Sequence, residues 1–182
     1  MEEEKEIMRI KMVFIGNENT GKTQIMNRFL QKEFESNYYS TIGLDFDTKT
    51  KQLKNNWVKF SIYDISGQKK FDSLIPLYLV EKNVFVLVYD ITNKNSFLQL
   101  DHYLAMIKNR ENVILALLGN KIDLEDNREV TKEEAENFAN ENLMLFFEVS
   151  AKSNEGINQF FESIIFSEAG RKFTKKINKE KE

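Results

Sequence analysis

Apolar residues recur along this chain with two alternating periods, one suited to strands and one to helices. From Ile7 to Ile15, Arg9 and Lys11 alternate with Met8, Ile10 and Met12 before Val13-Phe14-Ile15 closes the run, which predicts a strand whose later part is buried on both faces. A glycine-bearing turn follows, and Lys22 to Lys32 then places Ile25, Met26, Phe29 and Leu30 on one helical face. Leu44 to Leu53 and Trp57 to Ile62 flank Lys54-Asn55-Asn56, and Asn tolerates the positive backbone angle of a tight hairpin, so these two runs form one antiparallel pair. Val84 to Tyr89, Val113 to Leu118 and Phe146 to Val149 supply three more short strands, each beside a helical segment. The helix from Thr131 to Glu141 opens with a capping box, Thr131-x-x-Glu134, and Asn154 is placed to cap a last helix with a buried stripe of Ile157, Phe160, Phe161, Ile164 and Ile165. Strands and helices in this alternation specify an α/β fold: a mostly parallel six-stranded sheet with one antiparallel edge strand, covered by helices on both faces in three layers.

Composition narrows the classes. A length of 182 residues fits one domain with a real core. With 26 Lys and Arg against 29 Asp and Glu, the chain lacks the basic excess of a nucleic-acid binder, so no nucleic-acid partner is expected. Cysteine is absent, which excludes disulfides, a thiol nucleophile and a lipidated cysteine, and fits a reducing, cytoplasmic setting. The apolar runs are far shorter than the roughly 20 residues of a membrane-spanning helix. The acidic start is not a signal peptide, and Glu2 stands where myristoylation needs glycine. The expected division is an acidic extension over residues 1–6, one domain over 7–168, and a charged, flexible tail over 169–182, in a protein that acts as a monomer.

Candidate chemistry begins directly after the first strand. Gly16-Asn17-Glu18-Asn19-Thr20-Gly21-Lys22-Thr23 satisfies G-x-x-x-x-G-K-[ST] and leads into a helix. In such a loop, backbone N–H groups and the positive end of the helix face a phosphate, Lys22 reaches the terminal phosphates, and the Thr23 hydroxyl can take a position around magnesium. This motif alone does not separate a kinase or ATPase from a GTPase. The strand ending at Leu118-Gly119 then delivers Asn120-Lys121-Ile122-Asp123. A carboxylate there can accept hydrogen bonds from N1–H and the exocyclic amine of guanine, two donors that adenine lacks; the wrong base leaves a buried charge unpaired, at about 1–3 kcal/mol per unsatisfied group. Ser150-Ala151-Lys152, again directly after a strand, offers a backbone N–H for the guanine carbonyl oxygen. Both segments lie at the carboxyl ends of strands, where open parallel sheets bind ligands.

From about Ile7 to Phe166 the chain resembles the Ras superfamily of small GTPases, and Thr41-Ile42-Gly43-Leu44-Asp45-Phe46, Tyr63-Asp64-Ile65-Ser66-Gly67-Gln68 and Val88-Tyr89-Asp90-Ile91-Thr92 are most similar to its Rab branch. The resemblance implies a P-loop NTPase G domain with about five helices. It would bind GTP and GDP with Mg2+ and hydrolyse GTP slowly as a molecular switch in vesicle-mediated traffic, at the cytosolic face of endomembranes. It implies that Gly16, Glu18, Asn19, Thr20, Gly21, Lys22, Thr23 and Gln24 surround the phosphates, and that Asn120, Lys121, Asp123, Ser150, Ala151 and Lys152 surround the base. Phe34 either packs against the guanine or serves as an ordinary core phenylalanine. By the same likeness Thr23, Thr41 and Asp64 hold magnesium, Gly67 gives its N–H to the third phosphate, and Gln68 orients the attacking water while Lys22 stabilises transferred charge. Exchange factors, activating proteins and effectors would bind through residues 38–46 and 64–80. No arginine is placed by motif to act as a finger in cis, so an activating protein is expected to supply one.

Several positions depart from the family pattern. Glu18 and Asn19 stand where small residues are usual, and Ser66 replaces alanine. Asn19 suits a positive backbone angle. Glu18 must turn outward from the phosphates or crowd Gln68, and with Ser66 it is expected to slow hydrolysis unless both side chains are simply tolerated. The prenylated cysteines of Rab tails are missing; membrane association is expected only if such a tail is absent from this sequence, the alternative being a protein that works without a lipid.

Overall fold

The structure, a computed structural model, describes residues 7–34, 41–53 and 56–179. The acidic start (1–6), residues 38–40 of the expected partner surface, Lys54 and Asn55 of the hairpin turn, and residues 180–182 lie outside the described residues. The most continuous apolar run, Val84–Asp90 (β4), is buried along its whole length and forms the middle of the sheet. Around it stand β1 (Ile7–Ile15), β2 (Leu44–Leu53), β3 (Asn56–Ile65), β5 (Ile114–Asn120) and β6 (Leu145–Val149), in the order β2-β3-β1-β4-β5-β6. Only β2 runs antiparallel to its neighbour, and its pairing with β3 closes at Leu53 opposite Asn56. The remaining neighbours pair in parallel, as the strand–helix alternation requires.

Six α-helices are described: α1 (Lys22–Phe29), α2 (Ile75–Tyr78), α3 (Lys94–Leu98), α4 (Leu100–Ile107), α5 (Lys132–Glu141) and α6 (Ile157–Lys179). Gln99 alone separates α3 from α4. The two faces of the sheet bury separate cores. On one, Ile10, Met12 and Phe14 pack with Ile25 and Phe29 of α1 and with Phe160, Phe161 and Ile164 of α6. Phe29 and Phe161 stack with ring centres 3.5 Å apart, fixing α1 on α6. On the other, Val13, Ile15, Phe85 and Leu87 pack with Leu100, Tyr103 and Leu104 of α4 and Ala135 and Ala139 of α5.

Three local expectations change. The first helix ends at Phe29, not Lys32, because Gln31 adopts φ 65 and turns the chain out of the helix. Thr131 does cap α5, accepting from the Glu134 N–H at 3.2 Å, but the Glu134 carboxylate pairs with Lys94, so the reciprocal half of the capping box is spent elsewhere. Asn154 is not the cap of α6. Two backbone hydrogen bonds of 3.1 Å between Ser150 and Glu155 close a tight turn that holds Asn154 at φ 63, and the chain enters the helix only after Gly156. At its far end α6 runs as backbone to Lys179, past residue 168, so helix extends into the segment expected as a flexible tail. Among the described residues no helix is long and apolar enough to cross a membrane.

Candidate functional site

The carboxyl ends of β1, β3, β5 and β6 open on one rim, and the loops leaving them enclose a cavity of about 380 Å3. Its phosphate-loop end starts at Gly16, where a Cβ would lie 2.2 Å from the Val88 carbonyl oxygen, so glycine lets the loop leave β1 pressed against β4. Asn19 takes φ 64, the left-handed region that Asn tolerates better than other side chains. Gly21, at φ 88, precedes α1 with no side chain capping the helix, leaving its first amides for an anion. Behind the loop the buried Thr20 hydroxyl donates to the Asn17 carbonyl at 2.9 Å. Lys22 is buried, and its ammonium donates to the carbonyls of Gly16 (2.8 Å) and Asn17 (2.7 Å). Burial lowers its pKa to about 8, against the pull of the Asp64 and Glu18 carboxylates.

The other end is a closed hydrogen-bonded frame. Asn120, buried at the tip of β5, donates from Nδ2 to the Thr20 carbonyl at 2.8 Å and accepts on Oδ1 from the Ala151 N–H at 3.1 Å. One side chain thus joins the phosphate loop to the Ser150-Ala151-Lys152 loop. Asp123 is held by the Ser150 hydroxyl, which donates to Oδ1 at 2.6 Å, with Lys152 Nζ at 3.9 Å from Oδ2. Lys121 sits at φ 73 and pairs with Asp90 at 2.5 Å. Below them Arg128 is saturated by Glu125 and Glu148, at 2.7 Å from each, which ties the segment after Asp123 to β6.

Between these ends lies a cluster of oxygen donors. Asp64 is buried at the end of β3; its Oδ2 accepts from Thr23 Oγ1 at 2.5 Å and from Thr41 Oγ1 at 3.4 Å, and the two hydroxyls are 3.0 Å apart. Its Oδ1 is buried without a partner, and burial raises its pKa despite the nearby Lys22. Two hydroxyls and an orphaned carboxylate oxygen fit a hard divalent cation such as Mg2+. Among the described residues no three acidic or histidine side chains gather into a cage.

The sequence model of the Ras family matches residues 11–168, most of the chain. The chain belongs to the Ras family. It is therefore a small GTPase, a guanine-nucleotide-binding molecular switch on a P-loop fold.

In this Ras-family GTPase most of the candidate residues line the cavity. Glu18, Asn19, Gly21, Lys22, Thr23 and Gln24 do so on the phosphate loop and α1, with Gly67 against that loop and the Thr41 hydroxyl 3.0 Å from that of Thr23. Asn120, Lys121, Asp123, Ala151 and Lys152 do so at the ends of β5 and β6, with Phe34 beside the Arg28 guanidinium that reaches the loop after β6. Phe34 lines the cavity and, half-buried, packs on the α1–α6 core. Gly16, Thr20, Asp64 and Ser150 stand behind the wall as supports. Gln68 is not brought in. It does not line the cavity, and its Oε1 is buried without a partner. Glu18 lines the cavity yet is exposed, so its carboxylate has an outward path.

Sequence reasoning left out Asn27, Leu124 and Ser66 from the cavity lining. It also left out Asn17 and Tyr103: the Tyr103 hydroxyl, whose pKa burial pushes up to about 12, donates to Asn17 Oδ1 at 3.1 Å and braces the phosphate loop from α4. Leu124 could have been found as the neighbour of Asp123. Nothing local signals Tyr103, which lies 86 positions from its partner.

Proposed function

We propose that this GTPase is a Rab-like switch that binds GTP and GDP with Mg2+, hydrolyses GTP slowly, and reports its nucleotide state to partners of vesicle-mediated membrane traffic on the cytosolic face of endomembranes. The observation that carries the nucleotide assignment is Asn120, whose one amide joins the phosphate loop to the loop beside Asp123 within a single cavity. Asp123 then accepts the two guanine donors, the Ser150–Lys152 loop reads the carbonyl oxygen at position six of the purine, and Phe34 covers the ring. Lys22, cationic below about pH 8, and the open amides of α1 hold the terminal phosphates.

Thr23, Thr41 and Asp64 would hold Mg2+, which supplies positive charge beside the transferred phosphoryl group. Gly67 offers its N–H to the third phosphate. Its position against the phosphate loop supports this: the Glu18 N–H donates to the Gly67 carbonyl at 3.2 Å, and a Cβ on Gly67 would lie 2.2 Å from the backbone of Asn17 and Glu18. Loss of that phosphate frees both loops, an order-to-disorder switch of the kind that partners read. Residues 41–46 and 64–80 carry exposed apolar side chains, Ile42 at 81% and Leu77 at 68% exposure, with Phe46 and Val80 beside them, and these suit docking of exchange factors, activating proteins and effectors.

Hydrolysis needs Gln68 to turn into the cavity and orient a water while Lys22 stabilises the charge that develops on the phosphoryl oxygens. That rearrangement, the Glu18 carboxylate near the phosphates and the Ser66 hydroxyl, which accepts from the Gln68 N–H at 3.4 Å, together make the intrinsic rate slow. No arginine lines the cavity among the described residues, so acceleration falls to an activating protein that inserts one. The position of Gln68 also favours a second reading, a nucleotide-loaded adaptor with negligible turnover. Competition of GTP, GDP and ATP for the purified protein, with and without Mg2+, tests the assignment: equal affinity for ATP and GTP would sink it. Single-turnover phosphate release, with and without an activating protein, separates the switch from the adaptor.

A further inference from the structure

Arg28 lies in the last turn of α1, six positions after Lys22, and plays no part in the roles given so far. Its guanidinium crosses 123 positions of sequence to the loop after β6. Nε donates to the Ala151 carbonyl at 2.8 Å and Nη2 to the Lys152 carbonyl at 2.8 Å, while the guanidinium carbon lies 5.8 Å from the centre of the Phe34 ring. Two successive carbonyls held by one planar fork are a geometry that Arg satisfies and Lys does not. The Ala151 residue is therefore gripped on both sides, its N–H by Asn120 and its C=O by Arg28.

The consequence follows from peptide geometry. In a trans peptide the C=O and the next N–H point in opposite directions, so fixing the Ala151 oxygen toward α1 fixes the Lys152 N–H away from it. Lys152 lines the cavity. Holding the Lys152 oxygen likewise fixes the Ser153 N–H, which donates to the Ser150 hydroxyl at 3.0 Å, and that hydroxyl in turn holds Asp123. We infer that Arg28 is a positioning residue for base recognition: it aims the Lys152 N–H at the six-position carbonyl oxygen of the purine. The inference rests on the guanine-nucleotide reading above and deepens it. It also makes α1 a rigid link between the two ends of the ligand, since the helix that starts at the phosphates ends by clamping the base loop.

The test compares release of GDP with release of 2-aminopurine riboside diphosphate from the full chain and from Arg28→Met and Arg28→Lys. The analogue keeps the exocyclic amine and lacks the six-position oxygen together with the N1–H, the latter loss being common to all three proteins. Arg28→Met removes both donors and should release GDP about tenfold faster, with Arg28→Lys, which can serve one carbonyl, near threefold. Both variants should release the 2-aminopurine nucleotide within twofold of the parent rate. An equal acceleration for both nucleotides overturns the inference, because Arg28 then supports packing or Phe34 and not the amide that reads the oxygen. If Arg28→Met fails to fold, Arg28→Lys decides at its smaller expected ratio. A parent that holds GDP while both variants release it no faster overturns the inference alone; a parent that holds no GDP overturns the functional reading and the inference with it.

Discussion

The two ends of the cavity differ in how far they are finished. At the proposed base end the supporting side chains are paired: Asn120 is bonded through both side-chain atoms, Asp123 through Ser150, and Arg128 through two carboxylates. At the proposed phosphate-sensing end the buried acceptors Asp64 Oδ1 and Gln68 Oε1 have none. Pairing a buried acceptor is worth on the order of 1–3 kcal/mol, so these two oxygens are where a bound cation or a movement of the loop would be felt most. The paired side chains thus lie where the proposed site would choose a base, and the unpaired acceptors where it would tell two nucleotide states apart.

The sharpest way to break this contrast is to damage the finished end alone. Asp123→Ala removes both proposed bonds to guanine and should weaken GDP and GTP equally, by about 100-fold, corresponding to about 3 kcal/mol for two charge-assisted bonds. Equilibrium titration with labelled nucleotide measures it. A change in the ratio of GTP to GDP affinity would show that the ends are not separable.

Damage at the other end should do the reverse. A Cβ on Gly67 would lie 2.2 Å from the Asn17 and Glu18 backbone, which cannot yield, so Gly67→Ala must push the two loops apart. With the proposed bond to the third phosphate lost, preference for GTP over GDP should fall about tenfold, since a hydrogen bond to a charged group contributes about 1.5 kcal/mol or more. GDP affinity itself should stay within twofold in the same titration.

How much of each end can be read from sequence follows the same division. Asp123, Asn120 and Lys22 are legible because each belongs to a short contiguous motif at a strand end, and burial of whole strands such as β4 follows directly from apolar runs. Arg28, Arg128 and Tyr103 are not, because they act across 20 to 123 positions and belong to no local pattern. The orientation of Gln68 is equally hidden, since it depends on how two loops meet and not on the residues around it. Asn154 shows the limit from the other side: a good capping residue is overruled when the Ser150–Glu155 turn claims its backbone.

Proton linkage gives a smaller effect confined to the phosphate end. In the free protein Lys22 loses its proton near pH 8, below the usual lysine value, because burial disfavours the charge. Phosphates bind the cationic form, so binding takes up a proton above that pH and none below it. Affinity is therefore flat below about pH 8 and falls as pH rises, by about fivefold between pH 8 and pH 9. Lys22→Gln binds weakly but should lack this component, and its profile corrects for ionisation of the nucleotide itself. Equal slopes in parent and variant would remove Lys22 from the phosphate site.

The smallest effect concerns the residues that depart from the family pattern. Glu18 lines the cavity with an exposed carboxylate, and it is close enough for its charge to raise the pKa of Lys22 and of Tyr103. Water screens an exposed charge to about 1 kcal/mol or less at 4 Å, so its drag on a transition state that gathers negative charge on the phosphoryl oxygens is limited. Glu18→Gly should raise single-turnover GTP hydrolysis about threefold. Ser66→Ala should act by another route, freeing the Gln68 N–H from the Ser66 oxygen 3.4 Å away and easing the turn of Gln68 toward the cavity. Because one change is electrostatic and the other conformational, their effects should multiply in the double variant, whereas a shared cause would make the second change silent. Neither should alter GDP affinity beyond twofold, and unchanged hydrolysis in all three variants would clear both Glu18 and Ser66 of any part in setting the rate.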